Sequence, residues 1–404
     1  MNAPVEIRHE GSGVHALIVL DNGIVRVVAA PGMGGRVLSV RHRGHEHLYR
    51  NPRLLDEDLR PMEGVELGPV DGPMSAWNNL GGDKTWPAPQ GWDGPDAWAG
   101  PPDPVLDSGH YTTETSSTPD GSAVLTLTSG DDPRSGLRLR RRITLAPGTA
   151  GYRLDLEAVN VSDAPRRWAL WNVTQIDGTP AAGDVVDGVF VGVRGEGPHT
   201  TALIAGNGHP RVVEHAPGAL RVPPQDVVGK VGFPTASGWL AHVGAAGTLT
   251  QRFDVSEGAD YPDSGSRAEV WLEAPLEQPL EHLGGLRPVD RVTEVEALGP
   301  LTPLVPGRGT SLGVTFGFGS GTDPVTEVTP DGFWSAPPRW ETHGPQGPRL
   351  VGAFTSTGSG ILVHRASGHT VARTRPGAPT RFAVPVPETD AHGPPDVVFV
   401  SASA

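Results

Sequence analysis

Short runs of apolar and β-branched residues recur along the whole chain at strand length, and turn dipeptides such as Asn-Gly, Pro-Gly and Gly-Gly close most of them. They include Ala16–Leu20, Val25–Ala29, Val37–Val40, Ala123–Thr128, Leu137–Leu145, Tyr152–Asn160, Trp168–Gln175 and Val189–Val193. Val227–Val231, Trp239–Val243, Thr248–Phe253, Ala268–Leu272, Val292–Ala297 and Ser311–Phe318 continue the series. Arg153–Glu157 alternates strictly, with Leu154 and Leu156 on one face and charges on the other. No amphipathic helix exceeds about two turns. The pattern predicts an all-β protein, and so many strands require a large sandwich or barrel.

Turn residues cluster at Gly319–Thr329, which predicts a seam: a main body over 1–320 and a small C-terminal β domain over 325–404. Within the latter, Arg349–Phe354, Gly360–His364, Val371–Thr374, Arg381–Val384 and Asp396–Ser401 read as strands. One stretch breaks the pattern. Trp77–Asp103 holds four of the ten tryptophans among glycines and prolines, and its local signals predict irregular backbone. Indole rings beside Asn78, Asn79, Asp83, Lys84 and Gln90 suit a ligand with flat apolar faces and many hydroxyls, as in a sugar. The stretch is either a binding loop over a cleft or a loop pinned to the body by Trp77, Trp86 and their neighbours.

Composition narrows the chemistry. With 55 Gly and 42 Pro the chain is turn-rich, yet its 37% hydrophobic residues lie in regular runs, which argues against disorder. The formal charge is −14, from 32 basic and 46 acidic residues, and no basic patch suits nucleic acid or an anionic membrane. Arg138–Arg142 (RLRRR) reads as a solvated strand face. Cysteine is absent, which removes disulfides, thiolate nucleophiles and Cys-ligated metals. The N-terminal residues carry no apolar signal core and no stretch is long and apolar enough to span a bilayer, so a soluble cytoplasmic protein is expected. The histidine-rich Arg41–His47 (RHRGHEH) reads as a hairpin, and neither a metal nor a cofactor is expected.

Three constellations could carry chemistry. Glu294 and Glu296 lie two apart in a strand and so share one face, which is either a solvated edge or a cleft that would raise one pKa. Trp168–Gln175 (WALWNVTQ) puts Trp171 and Gln175 on one face and Asn172 on the other, forming either a polar cavity wall or core packing. Pro31–Arg36 places glycines before Arg36, which faces a ligand or a structural carboxylate. His110, His242 and His282 lie near these segments and are candidate acids or ligand contacts.

Taken in order, Asp21–Arg36 (DNGIVRVVAAPGMGGR), Gly81–Pro87 (GGDKTWP), Trp168–Gln175 and Glu294–Gly307 (EVEALGPLTPLVPG) resemble the aldose 1-epimerase, or galactose mutarotase-like, superfamily, and most closely a bacterial branch of it. The resemblance spans roughly residues 15–320. It implies a β-supersandwich with a carbohydrate cleft on one sheet and a late-strand glutamate as general base. Glu296 matches that base best and Glu294 second, and Arg36 matches a substrate-binding arginine. The family's acid is a histidine in the central strand, where this chain reads Trp171-Asn172-Val173-Thr174-Gln175, so Lys84 or His110 is left to replace it. The expected activity is at the anomeric centre of a sugar or glycoside. The same fold also hosts lyases and non-catalytic sugar binders, so the alternatives are a lyase or cyclase of secondary metabolism, with Glu296 as base and Lys84 stabilising an enolate-like oxygen, or a sugar binder without turnover.

Overall fold

The computed structural model describes residues 2–90, 98, 100–341, 348–385 and 395–402. Trp92, in the tryptophan-rich stretch, lies outside them. The described chain is almost entirely antiparallel β, as the alternation predicts.

Two large sheets face each other. The order in the first is Glu6–Glu10, Leu17–Asp21, Val25–Ala30, Arg36–His42, Asp83–Ala88, Arg166–Asp177, Val292–Leu298, Ala268–Glu273, Gly229–Phe233 and Thr201–Ala205. The centre of the second runs Ala236–Gly244, Gly247–Phe253, Gly309–Gly319, Gly151–Asn160, Leu137–Leu145 and Ala123–Thr128. Their facing sides form one core, with Leu20, Val27 and Val37 from the first sheet and Leu125, Leu139, Leu154 and Phe316 from the second. From Glu327 onward the chain forms two smaller sheets of four and three strands. Val328 and Phe333 of this part pack with Phe190 and Trp239 of the second large sheet.

The tryptophan-rich stretch is not wholly irregular. Asp83–Ala88 is a fully buried strand near the middle of the first sheet, paired with Arg166–Asp177 from Thr174↔Asp83 to Ala169↔Ala88. On its other side it pairs with Arg36–His42 only at Val37↔Asp83. Pro87 therefore falls where one side of the strand has no ladder, a position that tolerates a missing N–H. Gly81 and Gly82 feed the strand at φ +89° and +82°, and a Cβ on either would come within 2.3 Å of a backbone carbonyl. The turn signal was real, and tertiary pairing overrode its extension into the following residues.

Between the sheets lies a buried polar network. Arg141, expected on a solvated face, points inward while Arg138, Arg140 and Arg142 are exposed. It pairs with the Asp83 carboxylate and donates to the carbonyls of Gly35 and Asp83 at 2.9 and 3.0 Å. The other Asp83 oxygen accepts from Asn172 Nδ2 at 2.8 Å and Thr174 Oγ1 at 2.6 Å. Asp83 and Asn172 thus brace the central strands and do not face a ligand. We expect Asn172→Leu to cost about 1.5–3 kcal/mol of stability, the value of a hydrogen bond to a charged group, with no loss of ligand affinity. Paired denaturation and binding curves check this.

Two covering segments shape the outer face of the first sheet. Leu54, Leu55, Leu59, Leu67 and Leu80 pack over Val19, Val28 and Leu38 on its N-terminal half. Leu276, Leu280, Leu283 and Leu286 pack against Val228 and Trp271 at the other end. Between them Trp77 and Trp98 pack on Trp86 of the sheet.

Candidate active-site cleft

Strand alternation builds the cleft floor. Asp83–Ala88 contributes Lys84 and Trp86, and Arg166–Asp177 contributes Trp171 and Gln175. Val292–Leu298 contributes Glu294 and Glu296, Ala268–Glu273 contributes Glu269, Trp271 and Glu273, and Gly229–Phe233 contributes Lys230. Register places these side by side: Gln175↔Glu294, Glu294↔Trp271, Trp271↔Lys230 and Glu269↔Glu296.

Two ion clusters result. Lys230 Nζ lies 3.0 Å from Glu269 and 2.9 Å from Glu296, 4.2 Å above the centre of the Trp171 ring. Trp171 Nε1 donates to the same Glu296 oxygen at 2.6 Å. Burial alone would lower the Lys230 pKa, but Glu269 and Glu296 outweigh it and hold the ammonium above its ordinary value. Burial pushes the carboxyl of Glu269 well up and that of Glu296 up, with Lys230 pulling both back. In the second cluster Lys84 Nζ lies 3.6 Å from Glu294, 4.4 Å from the Trp86 ring centre and 4.8 Å from that of Trp77. Gln175 Nε2 donates to Glu294 at 2.6 Å. Burial lowers the Lys84 pKa against the pull of Glu294.

Glu273 stands apart. Trp271 Nε1 donates to it at 3.0 Å, and burial, reinforced by Glu294, pushes its carboxyl up to about 7. Several buried atoms of the floor make no hydrogen bond within the protein: Lys84 Nζ, Gln175 Oε1, Glu269 Oε1 and Glu296 Oε1. Such atoms are costly unless a ligand or solvent meets them.

Above the floor the cleft has two connected parts. An inner slot of about 40 Å³ is walled by Trp77, Trp86, Trp171 and Trp271, with Lys230, Glu273 and Glu294 below. It opens past Met74, Trp77, Glu273 and Leu286 into an outer cleft of about 440 Å³ that Tyr49, Asn51, Asn78, Asn79 and Asp290 help to line.

The sequence-predicted residues divide accordingly. Glu294, Lys84, Trp77, Trp86, Trp171, Gln175, Asn78 and Asn79 gather at the cleft. Glu296 lies in its floor with no exposed surface. Arg36 does not face the cleft. It is 1% exposed, donates to the carbonyls of Met33, Gly81 and Asp107 and pairs with the Asp107 carboxylate at 3.0 Å. Its link to the cleft is indirect, since the other Asp107 oxygen accepts from Trp77 Nε1 at 2.9 Å. His110 is exposed outside the residues lining either part. His242 sits on the second sheet, with its pKa pushed down to about 4 by burial. His282 donates from Nε2 to the carbonyl of Ala205 at 2.9 Å and lines neither part of the cleft.

Glu269, Trp271, Glu273 and Lys230 are absent from the sequence reading, although two signals mark them. Ala268–Glu273 (AEVWLE) places Glu269, Trp271 and Glu273 at alternate positions, and so on one face of a strand, as Glu294 and Glu296 are on theirs. The chain also has only two lysines, Lys84 and Lys230, and the structure puts both in this floor. Among the described residues, no group of three or more His, Asp or Glu side chains is placed to hold a metal ion, and no helix is long and apolar enough to cross a membrane.

No protein-family model and no curated protein matches the chain. Solved structures do. A TPR-domain containing protein from Parabacteroides distasonis superposes with a TM-score of 0.50 at 13% identity, over 75% of this chain and 46% of its own. This chain therefore spans less than half the length of that protein. A galactose mutarotase-like protein from Clostridium acetobutylicum gives 0.46 at 10% identity, covering 78% of this chain and 98% of its own. One from Lactobacillus casei gives 0.45 at 12%, covering 74% and 99%. At such identities the likeness is one of fold. The fold is all-β, and the structures similar to it include galactose mutarotase-like proteins.

Proposed function

We propose that the protein is a carbohydrate-active enzyme working at the anomeric centre of a sugar or glycoside. The observation that carries this reading is a slot walled by four tryptophans with the charged groups of Lys230, Glu273 and Glu294 lining its floor. Sugars present hydroxyls to such a floor and C–H faces to such walls.

Glu294 is the proposed base, in preference to Glu296. It lines the slot, whereas one Glu296 oxygen is committed to Lys230 and Trp171. Lys84 and Gln175 on one side of Glu294 fix its orientation. Glu273 is the proposed acid, taking the place of the histidine that the central strand lacks. In an anomer exchange Glu294 accepts the proton of the anomeric hydroxyl while Glu273 gives a proton to the ring oxygen. The bond from anomeric carbon to ring oxygen breaks, the open-chain aldehyde rotates, and closure on the other face returns both protons.

A carboxylic acid with its pKa near 7 donates a proton only below that pH, so the rate should fall as pH rises through about 7. Glu273→Gln should remove this alkaline limb and lower the remaining rate about 10²-fold. Two-dimensional NMR exchange between anomers, followed from pH 5.5 to 9 over a sugar panel, reads both effects. If sugars bind but none exchanges faster than in buffer, the protein is a binder. The lyase reading is favoured by one feature, the Lys84 ammonium, which makes no hydrogen bond beyond its 3.6 Å ion contact with Glu294 and would steady an enolate-like oxygen. An unsaturated product absorbing in the ultraviolet from a uronate-containing glycan would select it.

A further inference from the structure

The inner slot has room for only about three waters, too little for a sugar ring. On the proposed reading only the reacting edge of the ring enters it, and the ring itself lies in the outer cleft of about 440 Å³. That cleft does not end at its own rim. Tyr49 and Asp290 line it and also line a third hollow of about 560 Å³ on their other side. Both hollows are of the size that small-molecule sites occupy.

The third hollow is built for a polar, uncharged guest. Arg41, Arg50 and Arg291 line it together with Glu46, Glu57, Asp177 and Asp290, and Asp290 is paired with Arg53, so the charges nearly balance. Arg50 Nε is buried there and makes no hydrogen bond within the protein, although Nη1 of the same side chain donates to the Glu57 carbonyl at 3.2 Å. The divide between the two hollows is itself polar. Tyr49 Oη donates to Asp290 at 2.7 Å, and Arg53 pairs with both oxygens of that carboxylate, at 2.9 Å for Nη2 to Oδ1. The Arg53 side chain is 52% exposed, so the pair gives little stability and yields at little cost to a ligand hydroxyl.

We infer that the site is a subsite row and that its substrate is a glycan or glycoside of at least two units: the reacting unit over Glu294 and Glu273, the next beyond Tyr49 in the Arg50–Asp177 hollow. This rests on the sugar reading above and adds the size of the substrate to it. A second bound unit should raise affinity at least about tenfold, since its hydroxyls gain partners that the single ring does not reach. The inner slot at the other end of the row is too small for a further ring, so the reacting unit is a chain terminus.

Calorimetric titration of matched series tests the inference: glucose with maltose, maltotriose and cellobiose, xylose with xylobiose, mannose with mannobiose and galactose with galactobiose. The expected result is one series in which the disaccharide binds at least tenfold more tightly than its monosaccharide. Thr179→Trp, which places a bulky ring in the third hollow from an exposed position, should bring that disaccharide back to the affinity of the monosaccharide measured on the same variant, with an unchanged melting temperature. If monosaccharides bind and their longer homologues bind no better, the row does not exist and the single-sugar reading survives. A disaccharide gain that persists undiminished in a folded Thr179→Trp protein likewise overturns the assignment of the hollow. Binding by none of these sugars overturns the sugar reading and the row together.

Discussion

Glu294→Gln is expected to slow anomer exchange by on the order of 10²-fold or more while leaving the melting temperature within about 2 °C. The substitution keeps the shape of the side chain and removes only its ability to take a proton. Stability should hold, because Glu294 lines the slot and its main partner is a neutral amide, Gln175 Nε2 at 2.6 Å. The ion contact with Lys84 is looser, at 3.6 Å. Without that carboxylate, Lys84 keeps its two indole faces and loses the nearest group that opposes the downward push of burial on its pKa. Glu296→Gln is the informative companion. It should act mainly on stability, by weakening the hold on Lys230, and affect the rate less. A folded Glu296→Gln protein without activity, beside an active Glu294→Gln protein, would move the base two residues along the strand.

What the sequence shows of this site is its parity. Alternation correctly puts Trp171 and Gln175 on one face of their strand and Asn172 on the other, and makes Glu294 and Glu296 neighbours on one face. Alternation does not say which face meets the opposite sheet. Trp171 and Asn172 look equally suited to a ligand until Asn172 is found bonded to Asp83 between the sheets. Arg36 and Arg141 show the same limit, since an arginine in a strand is compatible with a ligand, with solvent or with a buried carboxylate. Both prove to be pins, on Asp107 and Asp83.

Strand order is the other hidden quantity. Lys230 meets Glu296 because Ala268–Glu273 lies between their strands, and that arrangement joins segments far apart in sequence. No local pattern encodes it. Asp83–Ala88 fails for a related reason: Pro87 and the paired glycines argue against a strand locally, while its neighbours supply one complete ladder.

The buried ion cluster yields the largest expected change in stability. Lys230→Met should cost about 3–5 kcal/mol near neutral pH, the range seen when one partner of a buried pair is removed. Methionine fills the aliphatic space beside Trp171, so the loss is electrostatic. Glu269 and Glu296, both without exposed surface, would be left with no cation and would repel each other. The pH dependence identifies this cause. Burial already raises both carboxyls above their ordinary 4.5, and removing the ammonium raises them further. A carboxyl with a higher pKa folded than unfolded binds more protons in the folded state, so acidification through that window stabilises the fold. The gap between Lys230→Met and the natural chain should therefore be widest near pH 8 and narrow toward pH 5, as the stranded carboxyls take up protons. Denaturant midpoints across that range measure it. A gap that is constant with pH would show that Lys230 matters for packing alone, and one that widens toward acid would show that the two glutamates are not the groups it neutralises.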